Sequence, residues 1–179
     1  PYTTLFRSQM QPSSWSSLAS SVASAAGRGE REIDRLRLAV AHYNGLTLWF
    51  ANAQSEPEKL EWKGSHLDIT FSPDGRFVVT SMQENMLHGW RLADGKDMRM
   101  SGYGARVRAL DWSAGGKWLA TSGADACIVW PFAGKDGPMG QAPRECGVRP
   151  AKVTRVAFHP RSLVCAIGYH DTFRYSGCS

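Results

Sequence analysis

His170 and Asp171 stand side by side, an imidazole and a carboxylate of the types that move protons in hydrolytic enzymes. A hydrolytic triad also needs a nucleophile on a special turn with the base in reach. The chain contains neither GxSxG nor HExxH. His170-Asp171 instead falls on a turn position of the repeat described below and is read as a structural turn. His159 follows Phe158 in another turn and reads as a solvated loop residue. His42, His66 and His88 show no metal-ligand spacing to cysteine or carboxylate residues. The five histidines are therefore read as scattered, and no catalytic, cofactor-binding or metal-binding residue is assigned. The cysteines, Cys127, Cys146, Cys165 and Cys178, include no CxxC pair. Cys127 and Cys165 lie in apolar strand-like segments and read as small buried thiols rather than disulfide partners. Gly102-Tyr103-Gly104 and Gly115-Gly116 lack the following helix that would cradle a phosphate and are read as turns.

The elements that would position these residues are short strands. Seven tryptophans, seven phenylalanines, eighteen glycines and nine prolines in 179 residues point to many strands with frequent turns. Hydrophobic residues are 42% and charged residues 21%, as in an ordinary globular domain. No apolar run approaches the roughly 20 residues that cross a bilayer. The net charge of +5 is mildly basic and does not by itself indicate nucleic acid.

The ends read differently from the middle. Residues 1–8, PYTTLFRS, look like the translation of a common DNA-sequencing adapter and are excluded from fold reasoning. Residues 9–29 are rich in serine and alanine, with no continuous apolar core for a signal peptide. Mixed charges then follow from Arg28 to Arg37. Residues 1–35 are thus expected to be a non-native or disordered N-terminal segment. After Thr172 the expected closing strand is missing, so 173–179 read as a truncated or mistranslated tail.

Residues 36–172 repeat themselves. Phe71, Trp112 and Phe158 each end a strand and start a turn, in FSPDGR, WSAGGK and FHPRSL. Thirteen residues after each anchor comes an acidic residue: Glu84, Asp125, Asp171. Trp90 and Trp130 close the next strand in two units. The earliest unit keeps only its second half, LAVAHYNGLTLWF, with Asn44 at the acidic position, Gly45 after it and Trp49 at the end. Asn44, Glu84, Asp125 and Asp171 are 40, 41 and 46 residues apart, a period typical of propellers or solenoids. In FSPDGR, Pro73 fixes φ, Asp74 can bond the local backbone and Gly75 permits φ above zero, as a tight turn requires. Asn85 can take the left-handed place that Gly45 takes in the earlier turn, whereas Ala126 and Thr172 fit it poorly.

Phe71 through Gly75 with Trp90-Arg91, and Trp112 through Asp125 to Trp130-Pro131, resemble the WD-repeat family, and Val153 to Asp171 matches without a closing tryptophan. The resemblance implies an all-β fold: a partial β-propeller of four-stranded antiparallel blades, about two full blades plus two partial ones. Family members often carry Gly-His before the first strand, where the His joins a network of Ser/Thr, Asp and Trp. Gly64-Ser65-His66 matches that only loosely, and Gly102-Tyr103-Gly104 and Cys146-Gly147-Val148 have no His, so the network is expected to be incomplete. VWPFAGKDGPMG is similar to bacterial members, which sets a bacterial, cytoplasmic protein as the expectation.

The resemblance implies a non-catalytic scaffold for protein–protein interaction, with no cofactor, no membrane, other proteins as partners and further blades in the parent propeller. The Gly- and Pro-rich insertion 134–150 accounts for the stretched repeat step. Its Lys135, Arg144 and Arg149 are the candidate partner-contact residues. A basic surface for nucleic acid or another polyanion is the alternative. It rests on the net charge and on arginines at 28, 31, 35, 37, 106, 108, 144, 149, 155 and 161. No aromatic-interleaved RNA-binding pattern accompanies them. An enzyme with a site in the propeller channel ranks last.

Overall fold

The computed structural model describes residues 37–50 and 56–171, together with the backbone of Ser21–Ala25 and Phe173–Gly177. Every element among the described residues is a β-strand. β1 (Ser21–Ala25), β2 (Arg37–Phe50), β3 (Glu58–Phe71), β4 (Phe77–Met82), β5 (Leu87–Arg91) and β6 (Asp97–Met100) follow one another in one hydrogen-bonded sheet. β7 (Leu110–Trp112), β8 (Trp118–Thr121), β9 (Cys127–Pro131) and β10 (Arg144–Cys146) make another. β11 (Val153–Phe158), β12 (Val164–Tyr169) and β13 (Phe173–Gly177) make the last.

The long strands β2 and β3 are each used twice. His42 Nε2 lies 3.0 Å from Thr47 Oγ1. Five residues of extended strand would put those residues about 16 Å apart, so β2 folds back on itself at Asn44-Gly45, where both φ values are positive. Its first limb pairs with β1, and its second limb pairs Gly45–Leu48 with Glu61–Glu58 of β3. The second half of β3 then pairs Ile69, Thr70 and Phe71 with Thr80, Val79 and Val78 of β4. One strand thus closes the first small sheet and opens the second. Counted this way, the described residues form four successive antiparallel sheets.

The core lies between these sheets. Side chains alternate along a strand, so a strand between two neighbours feeds both. Phe77 and Val79 of β4 pack toward the third sheet, with Trp112, Leu119, Trp130 and Phe132. Val78 packs toward the first, with Leu46, Leu48 and Trp90. Along β9, Ile128 and Trp130 face the second sheet, whereas Cys127 and Val129 face Val156, Cys165 and Ile167 of the fourth.

The repeat holds at atomic level. Ser72 N–H donates to Phe77 C=O at 2.9 Å, and Gly75 N–H to Ser72 C=O at 2.9 Å. Ser113 repeats both bonds with Trp118 and Gly116 at 2.9 and 2.8 Å. Gly75 and Gly116 have φ of 71° and 67°, a region that glycine enters without steric cost. In the fourth sheet His159 occupies the serine position, its N–H donating to Val164 C=O at 2.7 Å.

Two features differ from the sequence reading. Of residues 1–35 the structure describes only β1, which pairs with the first limb of β2. The expected adapter segment, residues 1–8, lies outside the described residues. β13 forms within residues 173–179 although no tryptophan closes it, because ladder pairing with β12 uses main-chain groups. Arg144–Cys146, read as part of a loop, pairs with Val129–Cys127 and completes the third sheet. Three of the four sheets are therefore four-stranded, where two full units were expected.

Candidate functional site

Antiparallel order puts the first hairpin turn of each sheet and its last connection on one edge. The second hairpin turn and the linker to the next sheet share the other edge. We call these the first-turn and second-turn faces.

Beneath the second-turn face, hydroxyl and ring groups form buried chains. Trp130 Nε1–H donates to Tyr103 Oη at 2.6 Å, and Tyr103 Oη lies 2.7 Å from Thr121 Oγ1. The Thr121 hydroxyl donates to Ile128 C=O at 2.9 Å. Since the Thr121 proton is committed there, the proton between Tyr103 and Thr121 belongs to Tyr103. Burial pushes the Tyr103 phenol pKa up, so it stays a donor. The third sheet lacks the His and Asp members of the family network, as the sequence led us to expect, and Tyr103 joins Trp130 to Thr121 in their place. The repeat register hid it, because the position equivalent to His66 is Val107 and Tyr103 lies four residues earlier.

In the second sheet His66 Nε2–H donates to Trp62 C=O at 3.0 Å. Its Nδ1 lies 2.7 Å from Thr80 Oγ1, and that hydroxyl also reaches His88 C=O at 3.1 Å. Burial holds the His66 pKa below its ordinary value. His88, fully buried, stacks on Trp62 at 4.1 Å and meets Trp90 edge-on at 4.7 Å. Asp97 Oδ2 stands 3.3 Å from His88 Nε2 but outside hydrogen-bond geometry, and neither ring nitrogen has a hydrogen-bond partner among the described residues. Burial lowers the His88 pKa to about 4 despite Asp97. The reading of five scattered histidines fails here, since His66 and His88 rings are 6.4 Å apart in one aromatic cluster. The available signal was His88 and Trp90 two residues apart on a strand, hence on one face.

The turns above are stitched to the linkers. Glu84 Oε1 accepts from Ser65 N–H at 3.3 Å, and Gln83 N–H donates to Ser65 C=O at 3.0 Å. Arg106 of the next linker donates to Gln83 Oε1 at 2.6 Å. Ala105 N–H donates to Gly123 C=O at 2.9 Å, and Arg149 N–H to Asp125 C=O at 3.1 Å. Asn85 has φ of 54°, whereas the turn before Ala126 takes its positive φ at Gly123 instead. Glu84 is exposed, and Asp171 is held by Arg149 at 2.8 Å. His170 N–H donates to Lys152 C=O, so His170-Asp171 is braced as a turn.

The first-turn face is tied between sheets. Asp74 accepts from the Ser72 hydroxyl and from Arg76. Burial alone would raise its pKa, but those bonds outweigh it and the net shift is downward. Arg76 continues to Phe132 C=O at 2.7 Å and Gly134 C=O at 3.0 Å in the next sheet. Arg91 is bound by Asp94 and Asp136, each at 2.5 Å. Its partner Asp94 is held at a pKa of about 2 by the guanidinium. On the third sheet, Asp111 Oδ2 accepts the Phe158 N–H at 2.5 Å and so grips the fourth. Burial raises the Asp111 pKa against that bond.

The remaining repeat positions serve packing. Phe71, Trp90, Trp112 and Trp130 are buried, and Trp49 and Phe158 are half-buried. The three candidate contact residues are not brought together. Lys135 is exposed on the first-turn face, where its C=O accepts from Arg91. Arg144 lies on the outer strand β10, its guanidinium 4.6 Å from the Trp118 ring centre. Arg149 belongs to the second-turn face, over Tyr169, whose hydroxyl donates to Gly147 C=O.

Residues 97–130 match the family model for the WD domain, G-beta repeat. The chain belongs to the WD40-repeat family. It is 31% identical over 86 residues to WD repeat-containing protein 1-B of Xenopus laevis, covering 46% of this chain and 14% of that protein. It is also 31% identical over 97 residues to Cell division cycle 20.1, cofactor of APC complex, of Arabidopsis thaliana, covering 51% of this chain and 21% of that protein. The chain thus matches about a seventh to a fifth of the length of these curated relatives. They come from a frog and a plant and lend no support to the bacterial origin expected from the sequence. Two solved structures share the fold. The computationally designed Ika4 protein aligns with TM-score 0.62 at 14% identity over 89% of this chain and 91% of that one. A chain of the Mitotic Checkpoint Complex aligns with TM-score 0.61 at 17% identity over 99% and 58%. WD40 relatives of this kind are usually non-catalytic.

Proposed function

We propose that this WD40 chain is a non-catalytic cytoplasmic scaffold that binds other proteins through its second-turn face. The carrying observation is how that face is fastened: its turns are tied to the linkers by main-chain bonds and rest on the Trp130–Tyr103–Thr121 chain, and the exposed Glu84 accepts from Ser65 N–H. A rigid surface loses little conformational entropy on association, which favours affinity. The name of one relative, a cofactor of the APC complex, and the alignment with a chain of the Mitotic Checkpoint Complex support a role among protein partners. The polyanion alternative has less support: of its arginines, Arg106 and Arg149 are engaged by protein groups and Arg37 and Arg144 stack on aromatic rings, leaving Arg108, Arg155 and Arg161 exposed among the described residues.

The test compares proteins co-purifying with the tagged chain, with a second-turn variant (Glu84→Lys with Arg106→Glu), and with a first-turn control (Arg161→Glu). The reading expects a specific set of proteins lost only in the second-turn variant. Equal recovery from all three, or recovery of nucleic acid that vanishes at high salt, overturns it.

A further inference from the structure

The described cysteines are neither isolated nor equivalent. Cys127 of β9 and Cys146 of β10 are direct partners in the ladder, so their side chains share one face. That face is the one packed against the fourth sheet, where Cys165 of β12 lies in the same apolar cluster. The Cys165 thiol donates to Ala166 C=O at 3.6 Å, and the neighbouring Cys127 side chain holds the Cys165 pKa below its ordinary value. Cys127 and Cys165 are fully buried, and Cys146 is half-buried at the rim. A central thiol is therefore flanked by one across the strand pair and one across the gap between sheets.

The geometry points to a thiol–disulfide relay that staples the third sheet to the fourth: Cys146 receives the oxidising equivalent, and Cys127 and Cys165 end as the disulfide. A low-molecular-weight disulfide such as oxidised glutathione is the co-reactant. The Cys146 thiolate attacks it, forming a mixed disulfide and releasing one reduced glutathione. The Cys127 thiolate attacks the Cys146 sulfur, expelling the second glutathione thiolate, which takes up a proton. The Cys165 thiolate then attacks the Cys127 sulfur, and Cys146 leaves as a thiolate and is reprotonated. In sum, two protein thiols are oxidised to one disulfide and one glutathione disulfide is reduced to two thiols.

Two arguments make the bond between Cys127 and Cys165 the end point. Directly opposed residues in an antiparallel pair have Cα atoms about 4.5–5.5 Å apart, toward the short side of the range disulfides prefer, so the Cys127–Cys146 bond is the more strained and reducible. The bond from Cys127 to Cys165 also closes the longer loop, 37 intervening residues against 18, and so restricts the unfolded chain more.

The test uses the folded chain in a Cys178→Ser background, equilibrated in a glutathione redox buffer, alkylated and digested with trypsin. Peptides 118–135, 145–152 and 162–174 each carry one of the three thiols. The inference expects 118–135 joined to 162–174, reversible with dithiothreitol, and formed at least ten-fold more slowly when Cys146 is replaced by serine. A folded chain that keeps three thiols while the urea-unfolded chain oxidises overturns the relay. Accumulation of 118–135 joined to 145–152 overturns the inter-sheet end point, and an unchanged rate in C146S overturns the role of Cys146. Cys127→Ala, with its fold checked by circular dichroism, must lose the cross-link entirely.

Discussion

Mild acid is expected to loosen this fold through one imidazole. His88 is fully buried between Trp62 and Trp90, its ring nitrogens without a hydrogen bond among the described residues and its pKa lowered to about 4 by burial. Around it stand Asp97, which favours the charged ring, and His66 and Arg99, which oppose it. In the unfolded chain the same group titrates near 6.5. The unfolded state therefore binds a proton that the folded state refuses as pH falls from about 6.5 toward 4. The stabilisation is complete above pH 6.5 and is withdrawn below it, by about 1.4 kcal/mol per pH unit on the steep part. The full shift corresponds to about 3 kcal/mol, and between pH 6.5 and 4.5 the loss from His88 alone is about 2 kcal/mol. His66 acts in the same direction. Asp94, with a pKa of about 2, stays ionised throughout that window, so its loss does not confuse the reading. Urea unfolding followed by tryptophan fluorescence at pH 7.5, 6.5, 5.5 and 4.5 measures the effect. His88→Phe keeps the ring stack and removes the titration, so its stability should fall by about 2 kcal/mol less across the window. Equal losses in the two proteins, or a His88 ring that titrates near 6.5 by NMR in the folded chain, would refute the reasoning.

Further outcomes follow from the hydrogen-bond chains and turns. Tyr103→Phe strips Trp130 Nε1–H and Thr121 of their shared partner and should cost about 1–3 kcal/mol in urea unfolding, whereas an exposed change such as Arg161→Ala should stay within about 0.5 kcal/mol. Gly75→Ala has open space around the new methyl and should cost only about 1 kcal/mol for its left-handed φ, read as a small fall in Tm. Gly45→Ala places the methyl onto the Leu60 carbonyl oxygen and should unfold the first sheet, seen as loss of slowly exchanging amides in β2 and β3. Arg76→Met removes the bonds to Phe132 and Gly134 carbonyls and should lower stability by about 1–2 kcal/mol, measured by the urea midpoint.

Local chemistry was legible in the order of residues. FSPDGR and WSAGGK announce tight turns because serine, aspartate and glycine each supply a bond or a φ that the turn needs, and both turns close with the same bonds. The near-continuous apolar runs FVVT and CIVW, with aromatic anchors one repeat apart, likewise mark strands covered on both faces. What the tertiary structure alone decided is which groups meet across strands and sheets. Tyr103 and Trp130 are 27 residues apart, and Arg76 reaches a carbonyl 56 residues away. Neither spacing is set by strand periodicity, since each depends on how linkers and neighbouring sheets settle. The same holds for His66 with His88 and for Cys127 with Cys165: each looks like an isolated residue along the chain, and becomes part of a cluster only when packing removes water and leaves its neighbours as its sole surroundings.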